Sequence, residues 1–273
     1  MLSIDNNKKI ILVLSQRDIR HPYAGGAEWF IHNVSKEIAK EVHLVHLSSW
    51  NEKQNMREEW IDGIHYIRKG NGLFSVILEG IKFYFKNRKE IILVIDHSNT
   101  HQFFTFLWAR SKRVFLIHQL SQEIWEYFLG KFLGKIMKFM ENFLLLLSRG
   151  TTITVSNSTR IDLENKGFKK VYVCPQGNAN KYSELPNIDK KEDYLIYMGR
   201  LVPYKRVEDA IMLAQKLNKK IYIVGHGSKR YEAYLEEFSE NLGVDCEFLG
   251  FLKKQDKDDL AERAHMLIMP SIR

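Results

Sequence analysis

Tyr194-Leu-Ile-Tyr-Met-Gly-Arg-Leu-Val-Pro-Tyr-Lys-Arg206 runs into Val207-Glu-Asp-Ala-Ile-Met-Leu-Ala-Gln-Lys-Leu217 and then, after three polar residues, Ile221-Tyr-Ile-Val224. The runs at 194–198 and 221–224 are short and apolar, as strands are, and the stretch between them reads as a helix. Strands that are apolar throughout are covered on both faces, so the unit predicts a parallel sheet with helices on either side. The alternation continues with a helix over Lys229–Asn241, a strand at Cys246–Leu249, a helix over Asp256–Ala264 and a strand at Met266–Met269.

Toward the amino end, residues 180–193 are polar, aperiodic and carry Pro186, as a linker does. Before them the same alternation appears. Strands are expected at Ile10–Leu14, Val42–Leu47, Ile64–Ile67, Ile91–Ile95, Val114–Ile117, Thr152–Val155 and Val171–Cys174. Helices are expected at Ala27–Lys40 and Phe74–Phe85, with a long helix or two over Tyr127–Leu147. The fold class is therefore α/β, with two Rossmann-like, doubly wound domains facing a cleft, residues 1–182 and 183–273. Such sheets bind ligands beyond the carboxyl ends of their strands.

The bulk properties narrow the class further. The 273 residues are 45% hydrophobic and 27% charged, which excludes a disordered or fibrous chain. Cys174 and Cys246 lie far apart, without zinc spacing or a disulfide framework, and point to reduced thiols in a cytoplasmic setting. The apolar run at Ile10–Leu14 is too short for an export signal, and nothing approaches the ~20 apolar residues of a membrane span. The net charge of +8 admits anionic partners. Residues 73–149 hold 15 of the 33 aromatics and 11 Lys/Arg against 6 Asp/Glu. There Lys82, Lys86, Lys89, Lys131, Lys135 and Lys138 alternate with Phe83, Phe85, Phe132 and Phe139, which suits either a solvated basic face over core aromatics or contact with an anionic membrane. The remaining basic dyads are scattered rather than laid out as a groove, which argues against nucleic acid.

Several stretches could carry chemistry. Gly25 and Gly26 follow the first strand and open a helix, a place where backbone N–H groups can meet an anion, or a plain glycine hinge. Arg200 and Lys205 flank a Pro203 turn at a strand's carboxyl end, which suits either a diphosphate, with Arg as a fork and Lys as a point charge, or a plain solvated loop. Val224-Gly-His-Gly227 begins like a dinucleotide fingerprint, but Arg230 stands where the third glycine belongs, which argues against a nicotinamide or flavin cofactor. His118 ends a strand on the cleft side, where an ordinary core or surface histidine is the commoner reading. His97 and His101 have the spacing of a metal pair, but they are separated by a loop and lack a third ligand, so no metal site is expected. Asp256-x-Asp258 has the form of a metal-bound sugar-nucleotide motif, but it opens a helix, where acids favour the dipole, and the helix start is the stronger reading.

Taken in order, these stretches resemble the retaining nucleotide-sugar glycosyltransferases of the two-domain GT-B fold, family four. The resemblance rests on Ala24-Gly-Gly-Ala-Glu28, Thr154-Val-Ser-Asn-Ser-Thr-Arg160, Val171-Tyr-Val-Cys-Pro-Gln-Gly-Asn178, Tyr197–Arg206, Val224–Gly227, Phe248-Leu-Gly-Phe-Leu252 and Met269-Pro-Ser271. It implies transfer of a sugar from a nucleotide-diphosphate donor, a UDP- or GDP-sugar, to a glycan or lipid-linked acceptor, with no metal or other cofactor required. By the same resemblance Arg200 and Lys205 bind the donor diphosphate and stabilise it as it leaves, and His118 lies near the transferred sugar. Gly25, Gly26, Gly225 and Gly227 approach the donor. Phe251 and Leu252 meet its base, largely through backbone, while Glu28, Ser156 and Asn157 lie on the acceptor side.

The family continues from the Pro-Ser segment into a Glu-x7-Glu motif, whereas this sequence stops at Pro270-Ser-Ile-Arg273. The resemblance therefore implies a second domain lacking those glutamates, in a truncated or naturally short chain. A second reading follows: a non-catalytic nucleotide-sugar-binding or membrane-associated subunit that needs a partner chain. A nucleotide-sugar epimerase would need a carboxylate pair in the cleft, and none is well placed. The expected location is cytoplasmic, at the inner face of the membrane if the basic aromatic stretch docks there.

Overall fold

The computed structural model describes residues 9–54, 56–98, 101–122, 124–177 and 190–271. The chain divides into two compact units, Met1–Asn178 and Ala179–Arg273. Most of the expected linker, and the Asn99-Thr100 pair between His97 and His101, lie outside the described residues.

In the first unit, strands β1 (Ile10–Ser15), β2 (His43–Ser48), β3 (Glu58–Ile61), β4 (Ile64–Arg68), β5 (Ile91–Ser98), β6 (Arg113–Ile117), β7 (Thr151–Thr154) and β8 (Lys170–Val173) form one sheet. Its order is β3-β4-β2-β1-β5-β6-β7-β8. Every neighbouring pair is parallel except β3–β4, an antiparallel hairpin whose left-handed turn holds Asp62 and Gly63. The sequence pattern did not mark β3, because its burial alternates at the sheet's edge and leaves no apolar run.

Helices α1 (Gly26–Ile38), α2 (Leu73–Lys86), α3 (Thr105–Trp108), α4 (Trp125–Leu147) and α5 (Asn157–Asn165) connect the strands. β1 shows why the sheet is covered twice. Ile10, Leu12 and Leu14 pack on one face with Val76, Ile77 and Tyr84 of α2. Ile11 and Val13 pack on the other with Ile31 of α1. All six β1 residues are buried, as the apolar run Ile10–Leu14 requires. α4 is two helical segments joined at Gly130, whose φ of 75° and ψ of 169° break the helix.

The second unit has strands β9 (Glu192–Met198), β10 (Lys220–Val224), β11 (Cys246–Gly250) and β12 (Ala264–Leu267), all parallel, in the order β11-β10-β9-β12. Helices α6 (Val207–Leu217), α7 (Lys229–Asn241) and α8 (Lys254–Arg263) link them. Leu195 and Tyr197 face Val207, Ala210, Ile211 and Ala214 of α6 and Leu235 of α7, while Tyr194 and Ile196 turn to the opposite face, toward Leu260 of α8. In both units the chain adds strands first to one side of the opening strand and then to the other. The carboxyl ends of β1 and β5, and of β9 and β12, therefore flank a switch point.

Candidate functional site

The first unit's strand ends gather polar side chains in its core. Ser15, the last residue of β1, holds His97 Nδ1 at 2.8 Å and His46 Nε2 at 2.9 Å from its Oγ. His97 Nε2 lies 2.8 Å from His118 Nε2, and the Gln176 amide nitrogen lies 3.3 Å from His118 Nδ1. Parallel register places Ser15 beside His97, and His118 directly follows β6. Phe30 of α1 meets the His118 ring edge-on at 5.4 Å. Burial is the main cause that pushes His46 and His118 down to about 4, and it holds His97 well below its ordinary value. His97 thus has both ring nitrogens engaged by Ser15 and His118, a role that its spacing to His101 did not signal.

The loop after β1 is tied down from below. Asp18 accepts from Ser48 Oγ at 2.7 Å, from Arg68 Nε at 2.6 Å and from Gln54 at 3.2 Å. Burial alone would raise the Asp18 carboxyl, but Arg68, with Ser48 and His46, holds it below the usual carboxylate value. This anchor presents Gly25 and Gly26 at the start of α1. Glu28 takes the Gly25 N–H at 2.7 Å and pairs with Arg17 at 3.2 Å, and it is almost fully buried. The helix end proposed for an anion is therefore met first by the chain's own carboxylate. Ser156 caps α5 by accepting from Thr159 N–H at 3.2 Å, and Thr159 Oγ1 donates to the His118 carbonyl at 3.3 Å. Asn157 begins that helix and is exposed.

The second unit brings Arg200 and Lys205 to one place. Arg200 follows β9 and exposes its guanidinium, with Nη2 donating to Tyr204 Oη at 3.0 Å. Lys205 Nζ lies 5.5 Å from the Tyr204 ring centre. Burial, then the charge of Arg200, lowers the Lys205 ammonium from its ordinary value. Among the described residues neither cation has a carboxylate within ion-pair distance. Tyr204 is buried and is the scaffold between them, set by the one-turn 3₁₀ segment Pro203–Lys205. Nothing in the charge pattern singled it out, although it stands inside the motif.

The loops after β9 and β10 interlock. Leu201 N–H donates to the His226 carbonyl, and Gly199 N–H to the Val224 carbonyl, both at 2.9 Å. Gly225 has φ 145°, and a Cβ there would sit 1.8 Å from the Gly199 carbonyl oxygen; one at Gly227 would sit 2.2 Å from that of Leu201. The two glycines are thus required by backbone packing. Their amides are already engaged, Gly225 by the Gly250 carbonyl at 2.8 Å and Gly227 by Glu232 at 2.7 Å. Phe251 leaves its side chain 80% exposed, and its N–H meets His226 Nε2 at 3.1 Å. Leu252 instead packs its side chain against the Tyr194–Ile196 core.

These features can be set beside known proteins. The sequence matches no curated protein. Among solved structures the chain is similar to Anabaena HepE in complex with UDP and glucose, at 14% identity and a TM-score of 0.61, covering 97% of this chain and 74% of that one. It is also similar to the apo form of the lipopolysaccharide outer core galactosyltransferase WaaB (14%, TM-score 0.63, covering 96% and 74%). A third is the E. coli trehalose-6-phosphate protein bound with UDP-2-fluoro glucose (10%, TM-score 0.63, covering 97% and 79%). At these identities the likeness is one of fold. The family model for glycosyl transferases group 1 matches residues 178–273, and that for glycosyltransferase family 4 matches residues 24–177, more than half of the chain. The chain belongs to glycosyltransferase family 4, with the two Rossmann-like units of the GT-B glycosyltransferases.

Proposed function

We propose that this chain transfers a sugar from a nucleoside-diphosphate donor, a UDP- or GDP-sugar, to a hydroxyl of a glycan or lipid-linked acceptor, with retention of anomeric configuration. The observation that carries the reading is the Arg200–Tyr204–Lys205 arrangement, two cations unneutralised among the described residues at the carboxyl end of β9. UDP in HepE and UDP-2-fluoro glucose in the E. coli protein, both of this fold, support a nucleotide ligand. In the reaction the anomeric carbon–oxygen bond to the diphosphate breaks, the acceptor oxygen bonds that carbon, and the acceptor's proton passes to the departing diphosphate. Negative charge gathers on the departing diphosphate, where fixed cations help most. Arg200 and Lys205 supply that charge in this reading, and His118 lies by the sugar. Phe251 borders the base, and Glu28, Ser156 and Asn157 border the acceptor side.

Calorimetry and a transfer assay with UDP-glucose, GDP-mannose and related donors test it. Donor binding that Arg200→Ala weakens about ten-fold or more, together with transfer whose product keeps the donor's configuration, is expected. Binding without transfer by the chain alone favours the subunit that needs a partner. No donor binding by folded protein overturns both.

One observation also favours work at a membrane. The outward side of α4 carries Phe132 and Phe139, 79% and 70% exposed, with Ile136, Phe143, Leu146 and Leu147 beside them. Lys131 and Lys135 flank that strip. No helix among the described residues is long and apolar enough to cross a membrane, so the proposed contact is interfacial, with anionic headgroups. Sedimentation with phosphatidylglycerol vesicles, reduced by Phe132→Ser/Phe139→Ser and by Lys131→Glu/Lys135→Glu, is expected. Equal sedimentation of wild type and variants removes this part of the reading.

A further inference from the structure

The hydrogen bonds at the first unit's strand ends form one chain, His46–Ser15–His97–His118–Gln176. Its direction follows from the Gln176 amide, whose nitrogen is turned toward His118 Nδ1. The Gln176 amide nitrogen can only donate, so His118 Nδ1 accepts. A neutral imidazole has one N–H, so the His118 proton sits on Nε2 and points at His97 Nε2, 2.8 Å away. His97 then carries its proton on Nδ1 and gives it to Ser15, whose hydroxyl donates to His46 Nε2. The proton left on His46 Nδ1 meets no partner among the described residues. His46 and His97 are almost wholly buried, and burial keeps all three rings neutral at neutral pH. At the other end Gln176 is exposed, so Nδ1 is the outward edge of His118.

We propose that His97, backed by Ser15 and His46, is a positioning residue: it holds the proton of His118 on Nε2 and so presents His118 Nδ1 outward as a hydrogen-bond acceptor, toward a ligand hydroxyl that displaces Gln176. The ligand part rests on the reading that places His118 beside the transferred sugar. A ring held the other way would offer an N–H, to which the same hydroxyl could only accept rather than donate. The ring planes of His97 and His118 cross at 71°, and Phe30 closes on His118 edge-on at 87°, so the ring is also fixed against rotation. The outward nitrogen, bound to Gln176 at 3.3 Å, has the longest bond of the chain and is the one a ligand can replace most cheaply.

Long-range ¹H–¹⁵N correlation spectra of histidine-labelled protein read the tautomer directly. Wild type is expected to show His118 protonated on Nε2 only. His97→Gln keeps an acceptor for that proton and is expected to preserve the pattern, whereas His97→Leu, and more mildly Ser15→Ala, is expected to shift His118 toward the other tautomer. Ser15→Ala removes a single oxygen and serves if His97→Leu does not fold. In calorimetry His97→Leu is expected to weaken UDP-glucose roughly five- to ten-fold, the loss of one hydrogen bond, with UDP itself unchanged and His97→Gln restoring the difference. His118 protonated on Nδ1 in wild type, or a tautomer indifferent to both His97→Leu and Ser15→Ala, overturns the proposal whatever the chain's activity. So does equal weakening of UDP and UDP-glucose. If wild type binds no UDP- or GDP-sugar, the donor reading fails and the ligand part goes with it, while the spectra still decide the tautomer.

Discussion

Arg68 donates through Nε to the Asp18 carboxylate at 2.6 Å, and neither side chain reaches solvent. The same guanidinium reaches Glu59 at 2.7 Å and the Met56 carbonyl at 2.8 Å. One buried cation thus ties the loop after β1 to the hairpin at the sheet's edge. Removing one partner of such a pair leaves the other charge stranded, a loss of about 3–5 kcal/mol. Arg68→Ala is expected to lower the urea midpoint accordingly without changing the slope. Asp18→Asn is expected to cost much of the same, because it keeps the shape and removes the charge.

The buried histidines make stability depend on acid. Their folded pKa values lie below the unfolded value of about 6.5, so the unfolded chain binds more protons as pH falls. The stability they contribute is complete above about pH 6.5 and is lost as pH falls from there toward about 4. The slope is up to about 1.4 kcal/mol per pH unit for each histidine. Thermal melts at pH 7.5, 6.5, 5.5 and 5.0 are expected to fall monotonically, and His46→Phe is expected to flatten the decline.

Arg200 and Lys205 should separate binding from folding. Arg200 is exposed and Lys205 half-buried, and neither closes an ion pair among the described residues. Arg200→Ala and Lys205→Ala are each expected to weaken UDP binding about ten-fold or more, since a charge-assisted bond contributes about 1.5–3 kcal/mol. The melting temperature should move by no more than a degree or two. Arg200→Lys should recover only part, because the fork is lost.

Two glycines predict opposite outcomes. Gly225→Ala drives a methyl into the Gly199 carbonyl at a φ that disfavours side chains, and a loss of about 2–4 kcal/mol is expected. Gly26→Ala meets nothing within 4 Å at the first position of α1 and is expected to be neutral or to stabilise by up to about 0.5 kcal/mol. Denaturation of the two variants side by side checks the contrast.

The apolar runs made the sheets legible, since burial on both faces leaves a continuous signature in β1, β5, β9 and β10. Elements that lack that signature were missed: β3, whose exposure alternates; α3, a single turn; and α5, which is polar on most of its surface. α8 and β12 begin two residues earlier than expected, at Lys254 and Ala264. At the site, Arg200 and Lys205 were readable because they are close in sequence. The partnership of Ser15, His46, His97 and His118 was not, because strand register assembles it from bonded pairs up to 82 positions apart. Asp18 and Arg68, 50 apart, were hidden for the same reason.

The interlocked loops after β9 and β10 also set where this molecule can change. At Gly225 and Gly227 every other residue collides with backbone, so those positions are closed to variation. Phe251, on the neighbouring loop, holds its side chain 80% in solvent and its backbone N–H on His226, so any residue that keeps the N–H fits there. A laboratory selection for altered ligand preference should therefore return many solutions at Phe251 and none at the glycines: the fold holds the interlocked backbone fixed and leaves the exposed position beside it open to adaptation.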